Sequence, residues 1–131
     1  MRCLIAEDSA IMREMLYAFL VDHAEIVTAG NGREAVRLFT DAYEENKPFD
    51  LVLLDIVMPE MDGQMALKLM RAVEKTSPGA AQKRAVIIMT TALNSVEDVK
   101  EALWQGDCTD YLEKPVIRRE LMTMLRRYGL V

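Results

Sequence analysis

The chain has 131 residues, 51% of them hydrophobic, and a formal net charge of −5 at neutral pH. That suits one domain of ordinary size with material for a sizeable core, and an acidic balance argues against a broad nucleic-acid-binding surface. No apolar run approaches the ~20 residues that span a bilayer, and the stretch after Met1-Arg2 is too short for a signal peptide, so a cytoplasmic protein is expected.

Five short apolar runs alternate with five helical patterns. Residues 3–6 form the first expected strand and end in Glu7-Asp8. Ile11, Met12, Met15, Leu16, Phe19 and Leu20 then repeat at helical spacing. His23, the one histidine, falls near that helix end and reads as a surface residue, since a lone histidine makes no zinc site. Glu25–Ala29 is a second, weaker strand. Asn31 opens the second helix three positions before Glu34, a capping pattern. Residues 51–54 form the third strand, ending at Asp55, and the third helix follows Gly63. Residues 76–84 contain Ser77-Pro78-Gly79 and read as a surface loop. Residues 86–89 form the fourth strand, ending in Thr90-Thr91, and Asn94 with Glu97 repeats the capping pattern. Asp110–Glu113 is the fifth strand, followed by Lys114-Pro115 and a helix from about Arg118 to Tyr128. Arg118, Arg119, Arg126 and Arg127 there make a solvated face, or a docking face for a partner. The ten methionines fall mostly on apolar helix stripes and read as core filling. Cys3 and Cys108 have no CxxC or Cys/His spacing and are expected to be free, buried thiols.

Continuous apolar runs suit strands buried on both faces of a parallel sheet. Strands alternating with helices predict a doubly wound α/β domain over residues 1–131, with right-handed crossovers and strand order 2-1-3-4-5. Ligands of such sheets bind outside the carboxyl ends of the strands. The residues there are Glu7-Asp8, Asp55, Thr90-Thr91 and Lys114, on four adjacent strands. Three carboxylates, a hydroxyl and an ammonium should therefore converge. Carboxylates that close repel one another unless a cation intervenes. Mg²⁺ takes one or two carboxylates, several waters and phosphate oxygens. Glu7, Asp8 and Asp55 thus read as a Mg²⁺ site that expects a phosphate. Singly, Glu7-Asp8 could cap a helix and Asp55 could start a turn; the joint placement carries the reading.

With these residues in place the chain resembles a response-regulator receiver domain, and is similar to the stand-alone regulators of the chemotaxis type. The resemblance rests on Glu7-Asp8, residues 51–55, Met58-Pro59 with Asp62-Gly63, Thr91-Ala92 and Tyr111 to Lys114-Pro115, and runs from about residue 2 to 128. It implies a flavodoxin-like (βα)5 fold with a five-stranded parallel sheet flanked by five helices. It implies that Asp55 accepts a phosphoryl group and that Glu7 and Asp8 help hold Mg²⁺, Asp8 directly, with the main-chain carbonyl of Val57 as a further ligand. Thr91 matches the switch hydroxyl, preferred over Thr90 because Ala92 follows it. Lys114 matches the site lysine and Tyr111 the switch aromatic. The Lys114-Pro115 bond is expected to be cis. Two departures stand out: residues 76–84 are longer than in compact relatives, and Asp107 follows Gly106 where a small residue is common.

The expected function is a phosphorylation switch of two-component signalling. A sensor histidine kinase would supply the phosphoryl group, and the surface of the fourth helix, fifth strand and fifth helix would respond. The chain would be a phosphoacceptor that assists its own phosphorylation and dephosphorylation, not an enzyme in the usual sense. Val57 and Leu93 are apolar and flank the site, which predicts slow loss of the phosphoryl group. Output would pass to a downstream protein or a histidine phosphotransfer protein, since no residues after the fifth helix could build a helix-turn-helix module. Membrane insertion is not expected, and the chain would be a monomer or a phosphorylation-dependent dimer. Alternatives are a phosphorelay intermediate and a scaffold that works unphosphorylated. An aspartate-nucleophile phosphatase would carry a second acid where Val57 stands. Neither GxGxxG nor GxxxxGK[ST] is present.

Overall fold

Strands and helices alternate without exception: β1 (Arg2–Ala6), α1 (Ala10–Leu20), β2 (Glu25–Ala29), α2 (Gly32–Glu44), β3 (Leu51–Asp55), α3 (Gly63–Thr76), β4 (Val86–Thr91), α4 (Val96–Trp104), β5 (Asp110–Glu113) and α5 (Arg118–Arg127). The computed structural model describes residues 1–76, 84–92 and 96–131, less the side chains of Val96, Asp98, Val99 and Trp104. Ser77-Pro78-Gly79, Leu93 and Asn94 lie outside the described residues. Every strand pair is parallel, and the order is β2-β1-β3-β4-β5, as the alternation predicts. The third and fourth strands run one and two residues further than their apolar cores, so Asp55 and Thr91 are the last residues of β3 and β4.

Side chains of a strand alternate between its faces, and the core divides accordingly. Cys3, Ile5, Leu51, Leu53, Ile88 and Leu112 meet Leu16 and Leu20 of α1 and Leu121, Met122, Met124 and Leu125 of α5. Leu4, Ala6, Val52, Leu54, Ile87 and Met89 meet Phe39 of α2, Leu67 and Met70 of α3 and Ala102 of α4. Each fully buried leucine contributes ~1.5–3 kcal/mol relative to exposure. The methionines divide: Met58, Met70, Met89, Met122 and Met124 are core, whereas Met65 is half exposed on α3. Cys3 and Cys108 are free and buried, and His23 is exposed. Arg118, Arg119, Arg126 and Arg127 are exposed on α5, the last 3.5 Å from Asp110. No described helix is long and apolar enough to cross a membrane.

Two glycines are dictated by close approach. A Cβ on Gly32 would lie 2.0 Å from the Met61 carbonyl oxygen, and one on Gly63 would lie 2.1 Å from that of Asp55. The first residue of α3 is therefore pressed directly on the end of β3.

At the opposite pole a polar network ties α3 to β4 and β5. Arg71 and Glu74 are both buried and pair at 2.7 Å. Arg71 also donates to the carbonyls of Asp107 (2.9 Å) and Ala85 (2.9 Å). Glu74 accepts from the Ala85 N–H at 2.7 Å and the Tyr43 hydroxyl at 3.3 Å. This network accounts for Asp107: its backbone is left-handed at φ 64°, which aspartate tolerates better than most residues. Its carboxylate pairs with Arg84.

Candidate functional site

All strands run parallel, so their carboxyl ends share one edge of the sheet. Ala6 pairs with Leu54, which brings Glu7 level with Asp55, and the Glu7 N–H donates to the Ala29 carbonyl at 3.1 Å. The α1 cap is Ser9, whose hydroxyl accepts from the Met12 N–H at 3.3 Å. Glu7 and Asp8 are thereby free of the capping role that sequence alone also allowed them. Asp62 accepts from the Met65 N–H at 3.0 Å at the start of α3.

Four charged side chains gather at this edge. The Lys114 ammonium lies 3.0 Å from Glu7 Oε2 and 3.0 Å from Asp55 Oδ2. One carboxylate oxygen each from Glu7, Asp8 and Asp55 lies within 4.8 Å of the others. Glu7 and Asp55 are buried, whereas Asp8 is exposed and leaves one side open. The Asp55 carboxylate also accepts from the Val57 N–H at 3.3 Å, and the Ser9 N–H donates to Glu7 Oε1 at 3.2 Å. The cluster carries three negative charges against one positive. Burial pushes the Glu7 carboxyl above its ordinary value; the Lys114 bond pulls it down and the Asp55 charge pushes it up again. For Lys114, burial alone would lower the ammonium, but its bonds to Asp55 and Glu7 outweigh burial and raise it. Hard oxygen donors with an excess of negative charge fit a divalent cation such as Mg²⁺.

Lys114 reaches the cluster because its own N–H donates to the Thr91 carbonyl at 2.7 Å; the following Lys114-Pro115 bond is cis. Thr91 is buried, and its hydroxyl donates to the Ala92 carbonyl at 3.3 Å, not to a carboxylate. Strand alternation separates the two threonines. Thr90 pairs with Asp55 and shares the face of Ile88, while Thr91 shares the face of Ile87 and Met89, the one that α4 covers. Tyr111 lies on that same face of β5 and is 37% exposed. The structure thus brings Glu7, Asp8, Asp55 and Lys114 together, sets Thr91 beside them, and leaves Tyr111 apart at the sheet edge. Val57 is 72% exposed, and its flanking partner Leu93 lies outside the described residues.

Two neighbours of the site escape a reading of strand ends: Ser9, and Arg13, whose guanidinium reaches the carbonyls of Glu7 and Asp8. Ser9 precedes the first helical pattern as its cap, and Arg13 sits on it, where polar residues between apolar ones pass as solvent face. The one available signal is the spacing of Arg13, one turn beyond the cap.

The family described as response regulator receiver domain matches residues 3–126. The regulatory protein AtoC of Escherichia coli is 41% identical over 127 residues, which cover 96% of this chain but only 24% of that protein. The chemotaxis protein CheY of Bacillus subtilis is 40% identical over 116 residues, covering 87% of this chain and 85% of that one. Among solved structures, the receiver domain of the sensor histidine kinase PA1611 from Pseudomonas aeruginosa, with a magnesium ion in its active-site cleft, superposes with a TM-score of 0.77. It is 28% identical, over 97% of this chain and 95% of its own.

Proposed function

Since this chain belongs to the response regulator receiver domain family of two-component systems, we propose that Asp55 is its phosphoryl acceptor and that phosphorylation resets the surface of α4, β5 and α5. The observation that carries this is Lys114, 3.0 Å from both Glu7 and Asp55, beside three carboxylates within 4.8 Å of one another. An Asp55 oxygen attacks phosphorus, and a new P–O bond forms. The bond to the donor breaks: P–N in a phosphohistidine of a sensor kinase, P–O in acetyl phosphate. The leaving group takes the electron pair. Such a transfer is mostly positioning and charge stabilisation. Lys114 offsets the charge on Asp55 and on the incoming oxygens. Asp8 and Asp55, with Glu7 behind them and the Val57 carbonyl as a further donor, would hold Mg²⁺, which when bound neutralises charge on the phosphoryl oxygens.

The aspartyl phosphate brings about −1.5 to −2 charges and three acceptor oxygens. Lys114 then pairs with one oxygen, and the Thr91 hydroxyl leaves the Ala92 carbonyl for another. That inward movement opens space under α4, into which Tyr111 turns. Shifting a two-state equilibrium from 1:99 to 99:1 takes about 5.5 kcal/mol, and two or three charge-assisted bonds at ~1.5–3 kcal/mol each supply it. The reading treats residues 1–131 as one receiver unit. It places the switch in the cytoplasm, where kinases draw their ATP, with a histidine kinase as donor and a downstream protein as target. The test is intact mass after incubation with acetyl phosphate and Mg²⁺, beside Asp55→Asn. One added phosphoryl group on the wild type alone supports the proposal. An equal gain on both proteins moves the acceptor elsewhere.

A further inference from the structure

We propose that Arg13 is a positioning residue of the acidic site, holding the main chain of Glu7 and Asp8 and with it the stance of their carboxylates. This rests on the reading of Glu7, Asp8 and Asp55 as a cation site. β1 ends at Ala6 and α1 begins at Ala10, so both acids stand on a three-residue connection that belongs to neither element. A carboxylate oxygen of each and one of Asp55 lie within 4.8 Å of one another. Arg13 holds the same connection by its main chain. It lies one turn into α1, its N–H donating to the Ser9 carbonyl at 2.9 Å. Long side chains on a helix lean toward its N-terminus, and the Arg13 Nη1 donates to the Glu7 carbonyl at 2.7 Å and the Asp8 carbonyl at 3.2 Å. One guanidinium nitrogen thus ties two successive carbonyls to the rigid helix.

The same group is also a positive charge near the acids, and the two effects have opposite signs. As a charge alone, Arg13 weakens the hold on a divalent cation, so its removal would tighten binding. As a clamp, its removal loosens the acids and weakens binding. Contacts that orient ligands from behind are typically worth 10–100-fold in metal affinity, whereas the charge effect of a half-buried side chain that forms no ion pair with the acids is weakened by salt. Lysine keeps the charge but as a single ammonium on a flexible stem, without the planar fork.

The experiment is a Mg²⁺ titration of wild type, Arg13→Met and Arg13→Lys, read by calorimetry and by the amide NMR shifts of Asp8 and Ser9, with urea unfolding of each protein alongside. The expected result is about tenfold weaker Mg²⁺ binding in Arg13→Met, with Arg13→Lys between it and wild type. Unchanged or tighter binding in Arg13→Met overturns the proposal, even where the urea midpoint falls. If Arg13→Met does not fold, Arg13→Lys decides: wild-type affinity there leaves only a charge role and overturns the clamp. A wild-type protein that binds no Mg²⁺ overturns the cation-site reading itself and this inference with it, a result distinct from equal binding by all three.

Discussion

Replacing Gly63 by alanine should impair phosphorylation far more than it impairs folding. The new Cβ would stand 2.1 Å from the Asp55 carbonyl oxygen, and real Cβ contacts essentially never fall below 3.0 Å, so α3 and the end of β3 must part by about 0.9 Å. Overpacking of this kind costs ~1–3 kcal/mol, which a domain with ~5–15 kcal/mol of stability survives. The displaced residue is Asp55 itself, and a misplacement of ~1 Å can cost about 100-fold in rate. The control is Lys75→Ala, an exposed position at the far end of the same helix. The assay is the initial rate of mass gain from acetyl phosphate with Mg²⁺, beside the urea midpoint of each protein. A Gly63→Ala protein with the wild-type rate would refute the claim that this contact sets the position of Asp55.

Breaking the Arg71–Glu74 pair from one side with Arg71→Met should cost about 3 kcal/mol, the low end for a broken buried pair, because the buried carboxylate keeps only the exposed Arg84 guanidinium, 4.0 Å away. Urea midpoints should show the double variant with Glu74→Met recovering much of that loss; a single variant within 1 kcal/mol of wild type contradicts the network. Stability should also fall at high pH. Burial first, then the Glu74 charge, raises the Tyr43 hydroxyl from near 10 to about 12. Above pH 10 the unfolded chain sheds a Tyr43 proton that the folded one keeps, so stability should fall between about pH 10 and pH 12, and more steeply than in Tyr43→Phe, since the buried thiols Cys3 and Cys108 titrate alike in both proteins; equal slopes of urea midpoint against pH in the two proteins would refute the burial of Tyr43. Val57→Asn should shorten the lifetime of the phosphorylated protein by admitting water near the aspartyl phosphate, and equal decay rates by intact mass would remove Val57 from that role.

Most of the site was legible because it sits at strand ends. The apolar runs at residues 51–54 and 86–89 mark buried parallel strands, and the polar residue after each must then emerge at the ligand-binding edge. That argument needs only strand order, and it brings Glu7, Asp8, Asp55 and Lys114 together without knowledge of any contact. It fails where geometry depends on how helices close over the sheet. Arg71 and Glu74 are spaced like an exposed helical ion pair, and nothing in periodicity says that they are buried. Asp107 is explained only by a left-handed turn whose carbonyl Arg71 holds. Gly63 reads as an ordinary helix start, although its missing side chain sets the distance between α3 and Asp55. Arg13 looks like solvent face because its partners are main-chain carbonyls, which leave no mark on sequence. Thr91 and Thr90 separate only through the register of β4.

The most direct test of the account locates the modified atom. The protein phosphorylated with acetyl phosphate and Mg²⁺ is treated with borohydride, which reduces an aspartyl phosphate to homoserine, and its peptides are mapped by mass. The account predicts homoserine at position 55 and at no other aspartate. Homoserine elsewhere, or a phosphoryl group that resists reduction, would contradict it.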